Sequence, residues 1–561
     1  MLGATAGIAG VAAAGNLLNR AQAAEATVPG TRYTTYANVD EIGIVHEASA
    51  EEDADVVVAG TGIGGLICAM IVAEQAPEAK VLVVEARSFC GGGTNFAEQN
   101  DLPAASLSWE DALREGDVTA AESHYIKDGR LYAEKAYEQG LNTAWMYLKH
   151  QLVFSSDVVP FYEGGNGSKT IQRLLDKIDG DATYANVEVR CDTRATALLL
   201  EDERTCTGIQ LKDQNSGAYT NVNAKAVVLF TGGMSNNLDL LKYYTNQDVE
   251  KLECEDQGHF GDGMIMAEQT AHGLCKTIAL SSMMGYVPGL AYTSNLNAGV
   301  AQNPTCCFVN QYGMRFTRED VEHIDSGDIS YFVHYSKLIE GQGKVFSIVG
   351  QNLMDYIGSG SVKHKGGFYG PSNDPDWTPE AELAENASNE NIYKADTLEE
   401  LANLIGVPAD TLVETVERYN ADAEAGTGDT LFQKEADWMV PLGEGPYYAF
   451  RLKSFLVNTN NGIRVNYKCQ VVDPAYEPIQ GLYAGGIAIS GFNDDVYHTG
   501  LCQNVSIWSG SKAARTIVEE NPGGTVADDW YGEKPYTDDC NDELVREEWR
   551  KFNFDLNTIK E

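Results

Sequence analysis

The stretch from Asp55 to Ala97 constrains the fold of this chain more than any other part of the sequence. Asp55–Ala59 (DVVVA) is a short apolar run typical of a buried parallel strand, and it runs directly into Gly60–Gly65 (GTGIGG). A helix-compatible apolar segment follows, and Lys80–Glu85 (KVLVVE) predicts a second strand that ends in an acid. Strand, glycine turn, helix, strand and acid follow one another in the order that a dinucleotide-binding unit requires.

Each glycine of this turn has a predicted task. Gly60 allows the tight turn, Gly62 lets the backbone approach a pyrophosphate, and Gly65 permits close packing of the helix on the strand. The helix start, which includes Ile63 and Gly64, offers unpaired N–H groups to the phosphates. Glu85 lies about twenty residues past Gly65, where it can accept hydrogen bonds from a ribose.

The residues after Glu85 resemble a motif of one flavoprotein family. The run from Ala86 to Ala97 (ARSFCGGGTNFA) is similar to the E-x-x-x-x-G-G-x-(S/T/A)-x-x-A pattern of FAD enzymes in the fumarate reductase and succinate dehydrogenase flavoprotein family. In that family the second glycine loop lies along the pyrophosphate and the flavin. The resemblance implies a non-covalent FAD and, in this stretch, the cofactor-binding residues Glu85, Ala86, Arg87, Gly92, Gly93, Thr94, Asn95 and Ala97.

Two central segments resemble the same family in the same order. Lys225–Gly233 (KAVVLFTGG) is similar to its A-x-x-V-(I/L)-A-T-G-G strand and turn, and Gly261–Ala267 (GDGMIMA) to its G-D-G-x-x-(M/L)-A helix start. Asp262 is predicted as the N-cap of that helix. The resemblance also implies an adenine contact from Thr193 or Ala195. Residues implied at the cofactor here are Thr231, Gly232, Gly233 and Asp262.

Two C-terminal segments complete the implied cofactor site. Ile479–Gly486 (IQGLYAGG) resembles the strand that returns to the flavin, and Gln503–Ser506 (QNVS) resembles the helix start beneath the isoalloxazine. Ile487 stands where the family has a glutamate, so one ribose contact of the family lacks its residue. The implied cofactor-binding residues are Gly485, Gly486, Asn504 and Val505.

The resemblance implies an α/β fold, with a Rossmann-like, GR2-type FAD-binding domain and an inserted α+β capping domain. The predicted limits are 54–276 and 452–525 for the two parts of the FAD-binding domain, 277–451 for the capping and substrate domain, and 526–561 for a C-terminal tail. Residues 1–24 are predicted to be a signal peptide, because an apolar run precedes Ala21-Gln22-Ala23, which fits an A-x-A cleavage site.

A basic region before this apolar run is missing, and a truncated twin-arginine leader is the simplest interpretation. The alternative is an apolar N-terminal helix packed on the domain. We expect export to the extracytoplasmic face of the cell membrane.

Charge and cysteine spacing limit the partners. A formal net charge of -42 disfavours binding to nucleic acid or to an anionic membrane. The 11 cysteines form neither CxxC nor CxxCH, so no metal site, ferredoxin cluster or haem attachment is predicted. An iron–sulfur cluster built from distant cysteines stays open as an alternative. The resemblance implies an external electron donor, a membrane-anchored multihaem cytochrome.

The capping segment departs from its family in the residues that hold a dicarboxylate. Met283–Pro288 replaces the family's H-P-T motif, and Asn458–Ile463 replaces H-x-T-M-G-G. The family's proton-donor arginine falls near His323, and its carboxylate-binding arginine falls at Tyr497 or His498. An unpaired carboxylate in a dry pocket costs several kcal/mol. We therefore expect a neutral small-molecule acceptor, such as an enone, a steroid or an unsaturated lactone of the cardenolide type.

The implied chemistry is hydride transfer from flavin N5 to a C=C bond conjugated to a carbonyl, with an acid that protonates the neighbouring carbon. Arg315 and Arg318 are candidates for electrostatic support of an enolate, although an ion pair with Glu319 or Asp320 is an alternative role for Arg315. Ketosteroid Δ1-dehydrogenase-like oxidation, reduction of fumarate- or urocanate-type acids, and non-catalytic electron carriage are the alternative functions. Candidate acids are His323, Tyr331, Tyr497 and His498.

Overall fold

The protein is described by a computed structural model. It describes residues 41–96, 138, 142, 144–150, 152, 167–244, 252–254, 258–275, 279–290, 294, 296–320, 338–358, 378–460, 462–490, 501–520 and 524–532. Its strands are β1 Ala50–Asp53, β2 Val56–Ala59, β3 Val81–Val84, β4 Val187–Arg190, β5 Thr193–Asp202, β6 Thr205–Asp213, β7 Tyr219–Asn223, β8 Ala226–Leu229, β9 Leu252–Glu253, β10 Ala279–Tyr286, β11 Cys307–Asn310, β12 Val345–Gly350, β13 Ile392–Ala395, β14 Tyr447–Asn460, β15 Gln470–Val472 and β16 Pro478–Ala484.

Nine α-helices belong to this described part of the chain. They are α1 Ile63–Gln75, α2 Ser168–Gly180, α3 Leu238–Tyr244, α4 Asp262–Ile265, α5 Gln351–Gly358, α6 Pro379–Glu385, α7 Leu398–Ile405, α8 Ala409–Ala425 and α9 Leu501–Glu520. None of these helices combines the length and the apolar character needed to cross a lipid bilayer.

A ten-stranded sheet carries the predicted nucleotide fold. Its strands lie in the order β1-β7-β6-β16-β8-β2-β3-β4, while β15 pairs with β16 and β5 pairs with β6. The strands β16, β8, β2, β3 and β4 are neighbours that all run parallel. Their central members are short, fully buried apolar runs because both faces of the sheet are covered. The predicted α/β fold is confirmed.

Two helices cross closely on one face of this sheet. A Cβ added at Gly510 of α9 would lie 2.4 Å from the carbonyl oxygen of Gly64 in α1, and a Cβ at Gly64 would lie 2.5 Å from the carbonyl oxygen of Ser506. Only glycine allows this approach. The two helices therefore hold the start of α1 against the C-terminal part of the chain.

A six-stranded sheet forms the second layer of structure, in the order β10-β14-β12-β11, with β13 and β9 also paired to β14. The long strand β14 is its centre: its first half pairs with β12 and β13, and its second half pairs with β10 and β9. This sheet reaches past the predicted limits of 277 and 451 at both ends. β9 comes earlier in the chain, and β14 runs on to Asn460, where Thr459 contacts the turn that follows β8.

Candidate cofactor-binding site

The carboxyl ends of four adjacent parallel strands, β16, β8, β2 and β3, meet at one edge of the ten-stranded sheet. In open α/β sheets ligands bind at this edge. It brings together four predicted cofactor segments that are far apart in sequence: Gly60–Gly65, Glu85–Arg87, Thr231–Gly233 and Gly485–Gly486.

Glycine is required at two positions of the first turn. Gly60 has a φ of +116°, and a Cβ there would lie 2.2 Å from the carbonyl oxygen of Phe230. A Cβ at Gly65 would lie 2.1 Å from the carbonyl oxygen of Gly60. These contacts bring α1 directly over the end of β2.

Gly92 faces open space, and Gly62 has neighbours only at ordinary van der Waals distances. A Cβ added at Gly62 would have Thr94 Oγ1 at 3.6 Å and the Gly91 carbonyl oxygen at 3.8 Å as its nearest neighbours, and one at Gly92 would have nothing within 4 Å. The N–H groups of the first turn of α1 border this space and have no partner within their own helix. An open strip beside a helix start fits the phosphates of a dinucleotide, and the residues present therefore fit FAD.

Thr94 and Asn95 hold the second glycine loop in place. Thr94 Oγ1 accepts a hydrogen bond of 3.1 Å from the Ile63 N–H, and Asn95 Nδ2 donates one of 2.8 Å to the Cys90 carbonyl. Both side chains are buried. The loop is thereby fixed beside the start of α1, so that Gly92 and Gly93 lie near the open strip. Ala97 lies outside the described residues.

Glu85 is buried at the end of β3, and Thr61 is its main partner. The Thr61 hydroxyl donates a hydrogen bond of 2.5 Å to Glu85 Oε2, and the Arg87 N–H donates one of 3.1 Å to Oε1. Burial raises the pKa of Glu85, although these hydrogen bonds and the charge of Arg87 oppose the rise. A carboxylate has about four lone-pair positions, so Glu85 can accept a further bond from a ribose hydroxyl.

Thr61 was missed by the sequence reasoning. Besides donating to Glu85, its hydroxyl accepts a hydrogen bond of 3.0 Å from the Gly91 N–H and so joins the two glycine loops. The available signal was a small hydroxyl residue between the first two glycines of the motif.

The turn after β8 is enclosed by three side chains. Thr231 Oγ1 accepts a hydrogen bond of 3.1 Å from the Gly263 N–H. A Cβ at Gly232 would lie 2.4 Å from His259 Cδ2, and one at Gly233 would lie 2.4 Å from Thr459 Oγ1. The Thr231–Gly233 turn, which we call the floor of the site, therefore contacts both the start of α4 and the end of β14.

The predicted N-cap role of Asp262 is wrong. Gly261, with a φ of +81°, is the cap residue, and Asp262 is the first residue of α4. Its two carboxylate oxygens accept hydrogen bonds of 2.7 Å from Nε and Nη2 of Arg194 on β5. The carboxylate compensates a guanidinium that is 2% exposed and raises the pKa of Arg194 in spite of its burial. A long-range ion pair thus replaces the local cap.

His259 is a second residue that the sequence reasoning missed. Its ring lies against Gly232, its Nδ1 is 3.3 Å from Ser235 Oγ, and its backbone exchanges hydrogen bonds with Asn236. Burial, with a contribution from the charge of Arg87, lowers the pKa of His259 to about 3. The ring is therefore neutral at pH 7. Its position two residues before the Gly261-Asp262-Gly263 motif was the available signal.

The end of β16 is tied to both β8 and α9. The Gly485 N–H donates to the Leu229 carbonyl at 3.1 Å, and the Gly486 N–H donates to Ser509 Oγ at 2.8 Å. Asn504 and Val505 lie in the first turns of α9 and are buried. The C-terminal segments therefore lie at the same edge as the N-terminal glycine turn.

The structure places Arg315 in a buried ion-pair cluster. Its guanidinium donates hydrogen bonds of 2.7 Å to Glu319 Oε2 and 2.9 Å to Asp429 Oδ1, and it lies between the rings of Tyr419 and Phe432. Arg318 makes two hydrogen bonds of 2.7 Å to Asp320. The four candidate acids, His323, Tyr331, Tyr497 and His498, lie outside the described residues.

Lys434 completes this cluster and was not singled out from the sequence. Its Nζ donates hydrogen bonds to the Cys306 carbonyl at 2.9 Å and to the Tyr419 hydroxyl at 2.8 Å, and it lies 3.2 Å from Glu319 Oε2. Burial lowers its pKa, although the charge of Glu319 opposes this. Within the described ranges, no three His, Cys, Asp or Glu side chains gather as metal ligands would.

Comparison with known proteins supports the cofactor assignment. A family model described as FAD binding domain matches residues 55–498. Vinyl phenol reductase of Lactiplantibacillus plantarum is 26% identical over 491 residues, which cover 83% of this chain and 96% of the relative. Urocanate reductase of Eggerthella lenta is 26% identical, with coverage of 77% and 69%. Digoxin reductase of the same species is 23% identical, with coverage of 84% and 88%.

The fold also matches a solved structure, the open conformation of a flavocytochrome c3 fumarate reductase. The TM-score is 0.63 at 20% identity, and the match covers 84% of this chain and 78% of the other. This likeness concerns the fold.

Proposed function

Since the chain belongs to the FAD-binding domain family of flavoproteins, we propose that it is an FAD-dependent reductase of carbon–carbon double bonds in neutral acceptors. Membership of the family confirms the predicted FAD cofactor. The relatives that span most of this chain are named as reductases of vinyl phenol, urocanate and digoxin, which supports reduction of a double bond as the reaction.

The observation that carries the neutral acceptor is the pairing of three cations in the loops that follow β11 and α8. Arg315, Arg318 and Lys434 each bind a carboxylate of the chain itself. A cation already paired in this way cannot hold a substrate carboxylate without leaving its own partner uncompensated. Together with the loss of the family's histidine and arginine motifs, this favours an uncharged acceptor.

Bound FAD supplies the hydride. The chain's residues would position the cofactor: the first turn of α1 at the phosphates, Glu85 at a ribose, and the Thr231–Gly233 turn with the buried His259 at the floor. A neutral His259 can donate one hydrogen bond and accept another without adding charge beside the cofactor. For the proton we keep His323, Tyr331, Tyr497 and His498 as candidates.

Among neutral acceptors, the unsaturated lactone of a cardiac glycoside is our most specific proposal. It is supported by the replacement of the family's carboxylate-binding motifs in this chain and by the relative named digoxin reductase. Vinyl phenols are the alternative that the similarity to vinyl phenol reductase favours.

The test is an anaerobic assay in which the purified holoprotein oxidises reduced viologen in the presence of one acceptor at a time. The panel contains fumarate, urocanate, 4-vinylphenol, an enone steroid and digoxin. We expect kcat/KM for at least one neutral acceptor to exceed that for fumarate by about 100-fold or more, which corresponds to about 3 kcal/mol of transition-state discrimination.

Any other result of this assay would support one of the alternative functions. Preference for fumarate or urocanate would assign an acid reductase, and oxidation of a saturated ketosteroid with an artificial dye would assign a dehydrogenase. If the flavin-loaded protein turns over none of these compounds, the remaining alternative is a non-catalytic electron carrier.

We also propose an external electron donor, a membrane-anchored multihaem cytochrome, and export by the twin-arginine route. The proposed donor is supported by the net charge of -42, which would attract a basic partner. Export is supported by the apolar segment before Ala21-Gln22-Ala23. Salt-sensitive electron transfer from a basic cytochrome, and an N-terminus beginning near Ala24 in protein recovered from outside the cytoplasm, test the two proposals.

A further inference from the structure

Two cysteines that are distant in sequence meet beside the nucleotide end of the site. Cys90 Sγ and Cys191 Sγ lie 3.3 Å apart. Cys90 is fully buried, whereas Cys191 is partly exposed to solvent. A disulfide has an S–S distance of about 2.05 Å, so the two sulfurs need to approach by only about 1.2 Å to become bonded.

The position of this pair relates it to the cofactor. Cys90 immediately precedes Gly91, the first glycine of the second glycine loop, and Cys191 immediately follows β4. The contacting sulfurs thus join the phosphate-binding loop to the corner between β4 and β5, and Glu85–Arg87 lies between them.

Backbone hydrogen bonds already hold these segments in register. The Glu85 N–H donates to the Arg190 carbonyl at 2.9 Å, the Thr193 N–H to the Glu85 carbonyl at 2.8 Å, and the Asp192 N–H to the Arg87 carbonyl at 2.8 Å. A disulfide between Cys90 and Cys191 would therefore add a covalent link beside Glu85–Arg87, the segment predicted at the ribose. The strands would not need to rearrange.

We propose that Cys90 and Cys191 form a reversible disulfide that clamps the nucleotide end of the FAD site. The oxidant is a disulfide compound of the glutathione type. The Cys191 thiolate attacks one sulfur of that compound and releases a thiolate, and the Cys90 thiolate then displaces the second half from Cys191. Two S–H bonds are lost and one S–S bond is formed, while two electrons and two protons pass to the external disulfide, which leaves as two thiols.

The partial exposure of Cys191 fixes the order of the two steps. An external disulfide can reach Cys191, whereas Cys90 is accessible only to its neighbour. The hydrogen bond with Cys90 and burial both raise the pKa of Cys191, so the exchange accelerates as the pH rises above neutral. Once formed, the bond is shielded from reductants on the Cys90 side.

The chemical test counts thiols in the purified holoprotein. After incubation with glutathione disulfide or with a phosphine reductant, the protein is denatured and alkylated with N-ethylmaleimide, and its mass is measured by mass spectrometry. We expect 11 labels on the reduced chain and nine on the oxidised one, since the chain has 11 cysteines and the pair accounts for two. Peptide mapping should find Cys90 linked to Cys191. An equal number of labels in both samples would overturn the proposal.

The functional test measures the release of FAD after dilution, by the gain in flavin fluorescence. We expect release from the oxidised wild type to be at least fivefold slower than from the reduced wild type. This difference should vanish in Cys90→Ser and in Cys191→Ser. It should persist in Cys206→Ser, whose thiol lies in β6 and bonds to the Gly208 carbonyl. Equal release rates in a wild type shown to contain the bond would overturn the clamp. Neither readout depends on the acceptor that the enzyme reduces.

Discussion

Arg194 and Asp262, 68 residues apart in sequence, share two hydrogen bonds of 2.7 Å in the interior of the protein. The pair joins β5 to the first turn of α4, directly beside the Thr231–Gly233 turn. It therefore connects the strand implied at the adenine with the floor of the site.

We expect Arg194→Met to lower the free energy of unfolding by about 3 to 5 kcal/mol, because it leaves the Asp262 carboxylate buried and uncompensated. Urea denaturation measures the change. Arg194→Met combined with Asp262→Leu should recover most of the loss. The control is Arg204→Met, which removes a half-exposed partner of Asp473 at 3.4 Å and should cost less than about 1 kcal/mol. Equal losses for the two arginines would contradict this account.

Two glycines of the first turn should respond to alanine in opposite ways. Gly65→Ala forces a methyl group against the Gly60 carbonyl and should destabilise the FAD-free protein by about 3 kcal/mol or more. Gly62→Ala adds its methyl group at ordinary van der Waals distances from its neighbours and at a φ of -58°, so the FAD-free protein should change by less than about 1 kcal/mol.

The same methyl group at Gly62 occupies the strip that we assign to the phosphates. FAD affinity, measured by titration of flavin fluorescence, should therefore fall by about 10-fold or more in Gly62→Ala. Wild-type affinity in this variant would place the phosphates elsewhere.

Glu85→Gln should separate cofactor binding from stability. Loss of a charged acceptor for the ribose should weaken FAD binding by about 10- to 100-fold. The stability of the FAD-free variant should change less at pH 7, because removal of a buried carboxylate, whose pKa burial raises, offsets the cost of turning an NH2 group toward the Thr61 or Arg87 donor.

The difference in stability between FAD-free wild type and Glu85→Gln should change with pH in a definite direction. Because the pKa of Glu85 is higher in the folded protein than in the unfolded chain, its ionisation removes stability from the wild type as the pH rises above about 4.5. The stability of Glu85→Gln relative to the wild type should therefore rise over that range. Thermal unfolding at several pH values measures it, with the surface variant Glu188→Gln as the control.

Glu138 should be a main source of acid sensitivity. Burial opposes its ionisation, but the charges of Arg515 and Lys512, with their hydrogen bonds, outweigh burial and lower its pKa to about 2. This contributes about 3 kcal/mol, present above the ordinary value near 4.5 and lost as the pH falls towards 2. Glu138→Gln should lose that stability at pH 7, and the gap to wild type should narrow between pH 5 and pH 2. If the difference in stability between Glu138→Gln and the wild type is constant with pH, the ionisation of Glu138 is not its cause.

Local patterns predicted the nucleotide fold well because its elements are local. The apolar run of β2, the glycines before α1 and the acid after β3 follow one another within about 30 residues, and each has a strong preference of its own. These patterns predicted the α/β fold with its dinucleotide site, the family resemblance of the residues after Glu85 implied FAD, and the fold and the cofactor are both confirmed.

Long-range partners could not be predicted in the same way. The hydrogen bond from Thr61 to Glu85, the salt bridge between Arg194 and Asp262, and the ion pair of Lys434 with Glu319 depend on how distant segments are brought together. Asp262 shows the difference most clearly, since its position at a helix start favours a cap and its actual partner comes from β5. The boundaries of the second sheet were equally hard to predict, because the strands that pair with β14 come from segments as far apart in sequence as β9 and β13.

The continuity of β14 has a mechanical consequence for any opening and closing of the protein. Its last residues carry Thr459, whose hydroxyl accepts a hydrogen bond of 3.0 Å from the Met234 N–H in the turn after β8, while its first residues pair with β12 in the six-stranded sheet. β14 is continuous over 14 residues, although its pairing with β10 is irregular at two points. A displacement of β14 at Thr459 would therefore be felt at Met234, so the six-stranded sheet and the turn after β8 are linked through a single strand.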